Sequence, residues 1–359
     1  MVLLNVQGDP KEVMNPAFSR YHPSKNVVYT CTEDIEENGK IFAYKLGSQG
    51  ELEPLGEAID AGGTSTCYLT IDKAQKNLLA VNYWDSTLVT IPLEKETGAF
   101  AGPIKSKYDP KKGKQMVAAA KKNGGVNHSH NDESTIKARQ ADPHSHALVL
   151  DPYVGAVAYV PDLGKDLIRE FYYDRTNGSI EMEMNFMPSG LCTGKPDGPR
   201  YIHFHPKYNI AYVVNELSST IAVFEVDKQL LKEISEASKR GDNMDKYKGR
   251  STLRLIQSIA TIPSAFPGQM VRNSHCASLL PSMFFMLSTL HISHYCVLYS
   301  IEHMRTCRCS QVGPLCGRIQ PWTPIYLHLP CQAQGSQEGR TRNCWIFPYS
   351  WRDTPPLPI

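Results

Sequence analysis

Two histidines, His144 and His146, sit at the head of an apolar strand in the stretch PHSHALVLDP. An imidazole exchanges its proton near neutral pH, so either ring suits general acid–base catalysis. Arg200 follows Gly198-Pro199 at the start of another strand, where a guanidinium can grip a carboxylate or phosphate with two parallel hydrogen bonds. Glu216 closes the apolar run AYVVNE, a placement that presents a carboxylate at the end of a buried strand, able to orient a histidine or activate water. Asn215 fixes the turn beside it. Each has a structural alternative: a turn histidine, a surface ion pair, or a side chain that only ties neighbouring strands. His128 and His130, in NHSH, would extend the pair to four histidines and a zinc site. HxH spacing in a loop is too unspecific for that, so no metal is assigned and no cofactor follows.

These residues recur at fixed places in a repeat. Segments beginning at Asn15, Thr64, Pro143 and Gly198 each run through a polar or proline-containing lead, an apolar strand, a turn, a second strand, a polar turn and a third strand. The second strand always ends in a pair: Thr32-Glu33, Asn82-Tyr83, Asp162-Leu163 and Asn215-Glu216. By this correspondence Asn82, Tyr83 and Asp162 join Asn215 as substrate-contact candidates lining the same face. Strand triplets with turn signals between them and few helical stretches predict an all-β fold, a β-propeller closing around a channel. Residues 227–240, DKQLLKEISEASKR, predict one helix inserted between strands, and 101–142 an extended loop on one face, where propellers place function. His22, His203 and His205 lie at turns of the repeat and read as structural, and Cys31, Cys67 and Cys192 as buried thiols.

The chain has 359 residues, 41% hydrophobic and 21% charged, with 38 Lys+Arg against 36 Asp+Glu. That is globular composition, and its net charge of +2 does not fit a protein that neutralises nucleic-acid phosphates. The N-terminal MVLLNVQGDP lacks the apolar core of a secretory leader, so the body reads as cytoplasmic.

PHSH followed by DP and PDLG, and GPR followed by HFHP and VVNELSST, resemble the lactonase family of seven-bladed β-propellers, which includes bacterial 6-phosphogluconolactonase and fungal carboxy-muconate cyclase. The resemblance covers roughly residues 13–270. It implies a seven-bladed propeller hydrolysing 6-phosphogluconolactone to 6-phosphogluconate in the pentose phosphate pathway. His144 or His146 would be the acid–base, Arg200 the holder of the anionic group, and Glu216 the residue that orients or activates water. The implied partner is a small anionic sugar lactone. A muconate-type lactonising cycloisomerase uses similar residue types, and a non-catalytic propeller that binds a partner is the competing class.

The chain departs from that family at both ends. Part of the first blade ahead of Asn15 is missing by comparison, which predicts a partial propeller of four to five blades over 1–270. Beyond Met270 the composition breaks: seven of the ten cysteines fall in the last 89 residues, which contain no lysine and only three acids, Glu302, Glu338 and Asp353. The run 273–301 is a membrane-span alternative weakened by Pro281, His275, His291 and His294. Val271-Arg272 can be encoded with a splice donor, and Ile301 with the first base of Glu302 as an acceptor. Removing the intervening codons shifts the frame into a possible fifth repeat. Residues 271–359 are therefore expected to be retained intron plus out-of-frame exon, an irregular tail on an open ring, with an inactive truncated product as an alternative reading of the chain.

Overall fold

A computed structural model describes residues 13–110, 133–191 and 196–261. It also describes the backbone of four later strands, at 272–279, 284–290, 295–300 and 325–328, and side chains within 133–191 are described from 136 on. The alternating segments form consecutive antiparallel sheets. The first contains β1 (Pro16–Tyr21), β2 (Val27–Thr32), β3 (Asn38–Leu46) and β4 (Leu52–Pro54), with β5 (Ile59–Thr64) paired on β3. The second contains β6 (Thr66–Ile71), β7 (Asn77–Asn82), β8 (Thr87–Pro92) and β9 (Ser106–Tyr108). The third contains β10 (Val149–Leu150), β11 (Val157–Asp162), β12 (Leu167–Asp174) and β13 (Ser179–Pro188). The fourth contains β14 (Pro199–Phe204), β15 (Ile210–Asn215), β16 (Thr220–Val226) and β17 (Leu253–Ala260). These are the blades expected from the repeat, each with a fourth, outer strand that the triplet pattern did not reveal. The outer strands are more exposed, as in β4 and β17, and so lack a continuous apolar signal.

The core explains the radial arrangement. Strands β7 and β11 are buried at every position, because a blade covers each of their faces. One apolar cluster joins Tyr29 and Ile41 of the first blade to Leu78 and Val89 of the second. Another joins Leu79 and Val81 to Val160 and Phe171 of the third, and a further one joins Tyr159 and Ile168 to Val213 and Phe224 of the fourth. Each hydrophobic layer thus lies between successive blades.

The turn between the first and second strands is built on one side-chain acceptor per blade. Between the first and second strands, His22 Nδ1 accepts from Ser24 N, Asp72 Oδ1 from Lys76 N, Asp151 Oδ1 from Val154 N, and His205 Nδ1 from Lys207 N and Tyr208 N. His22 and His205 are therefore the structural residues the sequence suggested. Cys31 and Cys67 are buried free thiols.

Helix α2 (Lys228–Arg240) occupies the inserted segment as expected. Asp227 caps its N-terminus through Leu230 N at 2.9 Å, and Leu230, Leu231 and Ile234 pack on the fourth blade's cluster. The 101–142 segment differs from the extended loop expected of it, since it supplies β9 and helix α1 (Glu133–Arg139). His128, His130 and Cys192 lie outside the described residues. In the tail, β18 (Arg272–Leu279), β19 (Phe284–Leu290), β20 (Tyr295–Ser300) and β21 (Ile325–His328) pair in order as an antiparallel sheet. No described helix is long and apolar enough to cross a membrane.

Candidate functional site

Two backbone devices, repeated in each blade, aim the candidate residues. The residue after the second strand donates its N–H to the lead of the first: Glu33 to Asn15, Tyr83 to Ser65, Leu163 to His144 and Glu216 to Gly198. One or two residues further along, the first strand carries an extra residue. The register shifts between Thr66 and Tyr68 and between Pro199 and Tyr201, which leaves Cys67 and Arg200 as bulge residues. In the third blade Ser145 pairs with Asp162 and Val149 with Tyr159, four residues against three, so the same extra residue falls between Ser145 and Val149. Bulges re-aim side chains, and here they turn first-strand residues toward the ends of the second strands. Gly198 is required for this at the fourth blade: its φ is +62°, and a Cβ there would lie 2.4 Å from Leu217 Cγ.

The structure brings together Tyr83, His144, His146, Arg200 and Glu216. Arg200 Nη1 donates to Glu216 Oε2 at 2.6 Å. Tyr83 stacks on His144 with ring centroids 4.8 Å apart and 16° between planes, and packs on His146 at 5.1 Å. His146 also contacts Tyr201 at 5.7 Å, and Cys67 Sγ lies 3.9 Å from His146 Nδ1. Trp84 meets His144 edge-on at 5.0 Å.

Sequence reasoning missed Arg139, the last residue of α1. Its Nη1 donates to Glu216 Oε1 at 3.0 Å, its Nη2 to Glu216 Oε2 at 3.4 Å and its Nε to the Tyr83 hydroxyl at 3.1 Å. The available signal was charge order: NDES leads into IKAR, acid before base across a short run, which suits a helix.

Both oxygens of Glu216 accept from arginines, Oε1 from Arg139 and Oε2 from Arg139 and Arg200. Burial alone would push its carboxyl up, but Arg200 and Arg139 beside it reverse the effect and hold it well below the usual carboxylate range. Burial opposes charge on both guanidinia, yet Glu216 keeps them firmly protonated, with Tyr83 aiding Arg139. Burial lowers His144 to about 4 against the opposing Tyr83 carbonyl, with Arg139 and Lys165 adding to the drop. Burial and then Arg200 put His146 well below its ordinary value. Near neutral pH these groups comprise two cations, one anion and two neutral imidazoles, a surplus of one positive charge. His144 Nδ1 lies 3.2 Å from the Tyr83 carbonyl, which can only accept, so Nδ1 carries the proton and Nε2 keeps its lone pair. Nε2 is buried and has no hydrogen-bond partner among the described residues.

The other candidates take part in holding blades. Asn82 donates to the Ala61 carbonyl at 2.9 Å and to Thr87 Oγ1 at 2.8 Å, and accepts from Thr66 Oγ1 at 2.6 Å. Asp162 accepts from His144 N and Arg169 Nε, each at 2.8 Å. Asn215 donates to the Ser189 carbonyl and to Thr220 Oγ1, both at 3.1 Å. Among the described residues no group of His, Cys, Asp and Glu is arranged to hold a metal.

Residues 3–262 match the lactonase family of seven-bladed β-propellers. The chain belongs to that family. Curated relatives include two uncharacterized Staphylococcus aureus proteins. SAB1858c, from strain bovine RF122, is 26% identical over 59% of this chain and 53% of its own length. SAUSA300_1902, from strain USA300, is 25% identical over 65% of this chain and 59% of its own. The chain thus spans little more than half the length of these relatives. Among solved structures it is similar to the periplasmic gluconolactonase PpgL of Pseudomonas aeruginosa, with 17% identity over 79% of this chain and 68% of that one and a TM-score of 0.58. It is also similar to a candidate 6-phosphogluconolactonase of Bacteroides fragilis, with 18% identity over 81% and 68% and a TM-score of 0.57. At such identities the two structures speak for the fold.

Proposed function

We propose that the chain is a lactone hydrolase acting on a small anionic sugar lactone of the 6-phosphogluconolactone type. The observation that carries this reading is a surplus positive charge on Arg139, Arg200 and Glu216 beside a neutral imidazole, His144, whose Nε2 lone pair is unspent. Arg200 binds the substrate's anionic group, since it is the less enclosed of the two guanidinia, with its side chain 17% exposed against 9% for Arg139. Water adds to the lactone carbonyl carbon while His144 Nε2 accepts its proton. The tetrahedral adduct then collapses with cleavage of the ring C–O bond. The imidazolium returns the proton to the departing ring oxygen, which leaves the open hydroxy acid. His146, packed on Tyr83 and Tyr201, is the alternative proton carrier. Glu216, ionised and twice paired, fixes the arginines and does not act as the base. Asn82, Asp162 and Asn215 support the site by holding the strand ends that present Tyr83, His144 and Glu216.

The test is hydrolysis of 6-phosphogluconolactone and of unphosphorylated gluconolactone by the whole chain and by Arg200→Met. Turnover above the spontaneous rate, with the variant's KM raised more for the phosphorylated lactone, is the expected result. Binding of both compounds without turnover would replace the reading with a binding propeller. Preference for the unphosphorylated lactone would remove the anion from it.

A further inference from the structure

We infer that Arg139 is a positioning residue of this site, delivered by the segment between the second and third blades. Three contacts made by consecutive residues carry the inference. Arg139 bridges the second blade, at the Tyr83 hydroxyl, and the fourth, at both oxygens of Glu216. Gln140 Nε2 fastens the end of α1 to the third blade, donating to the Leu163 carbonyl at 3.1 Å and to Asp166 Oδ1 at 2.8 Å. Lys165 Nζ closes the connection from the blade side, on the Ala141 carbonyl at 2.6 Å. A three-residue stretch thus ties three blades at the point where their second strands end. His144, stacked on Tyr83, belongs to the blade in the middle.

The guanidinium's planar fork suits this task. Nη1 and Nη2 span the two carboxylate oxygens while Nε is left for the phenol, a division that an ammonium cannot reproduce. Because Arg139 takes Oε1, Glu216 meets Arg200 through Oε2 alone, at Nη1, and Arg200 Nε makes no hydrogen bond among the described residues. Arg139 also sets the phenol whose ring supports both imidazoles. Without it, Glu216 can rotate to pair with Arg200 through both oxygens and withdraw that guanidinium from a substrate.

This rests on the lactonase reading for its kinetic arm, so the experiment carries a second arm that needs no turnover. The variants are Arg139→Met, which keeps an apolar stem, and Arg139→Lys, which keeps the charge without the fork. Histidine resonances are titrated by NMR in each and assigned with His144→Gln and His146→Gln. The charged and titratable groups facing His144 are Arg139, Lys165, Asp162 and Tyr83; those facing His146 are Arg139, Arg200, Glu216, Cys67, Tyr83 and Tyr201. In Arg139→Met both titrations move upward, by about half a pH unit or more, as loss of a nearby cation requires. In Arg139→Lys they stay near the wild-type values. Lactone KM rises about tenfold or more in Arg139→Met, as withdrawal of Arg200 from the substrate's anion requires, and recovers in part with lysine. Unchanged titrations in a folded Arg139→Met overturn the inference. If that variant does not fold, a wild-type KM in Arg139→Lys overturns it. Titrations that move in a chain with no lactonase activity sustain the role of Arg139 and refute the proposed reaction.

Discussion

Arg139 and Glu216 form a bidentate ion pair across 77 residues of sequence, Nη1 to Oε1 at 3.0 Å and Nη2 to Oε2 at 3.4 Å. Arg200 shares the second oxygen at 2.6 Å. One buried carboxylate therefore balances two guanidinia, and its removal leaves cations facing each other. Glu216→Gln is expected to destabilise the chain by about 3–5 kcal/mol, the range for breaking a buried pair by removing one partner. Urea unfolding with an unchanged m-value would measure it.

Stability should fall as acid is added before ordinary carboxylates titrate. His144 titrates near 6.5 when unfolded and about 4 when folded, so between those values the unfolded chain binds the extra proton. Stability then rises with pH, by up to about 1.4 kcal/mol per pH unit for this group. His144→Gln should flatten that slope between pH 6.5 and 4 in urea unfolding at a series of pH values. An unchanged slope would mean that the ring is not held neutral by burial.

Arg200→Lys keeps the charge and loses the fork. Its KM for a phosphorylated lactone should rise about tenfold, with a smaller change in kcat, if the residue binds the substrate's anion through more than one N–H. Steady-state kinetics on purified protein provide the check.

Asn82→Ala should cost stability and not affinity. Three hydrogen bonds end on this buried amide, so a loss of about 2–4 kcal/mol is expected, at roughly 1 kcal/mol per bond plus the groups left unpaired. KM in the folded fraction should match the wild type. A raised KM with unchanged stability would return Asn82 to the substrate contacts.

The blades were legible because β2, β7, β11 and β15 bury apolar side chains between turns that recur at a fixed place. The outer strands were not, since β4 and β9 are only three residues long and carry no apolar alternation. Of the candidate site, Tyr83 and Glu216 were legible from the strand-end pairs of the repeat, and His144, His146 and Arg200 from their residue types at strand starts. What the repeat could not convey was occupancy. Nothing local to Asn82 or Asp162 reveals that their polar atoms are spent on neighbouring strands, and nothing local to Glu216 reveals two arginines. Arg139 lies in a segment without repeat periodicity, where only contact in three dimensions assigns a partner.

The most direct test of the account is a crystal structure of the whole chain soaked with 6-phosphogluconate, the open acid that the proposed reaction leaves. The account predicts its phosphate on Arg200 and the hydroxyl formed from the lactone ring oxygen donating to His144 Nε2. An acid bound elsewhere, or no binding while turnover persists, would contradict the assignment of this site.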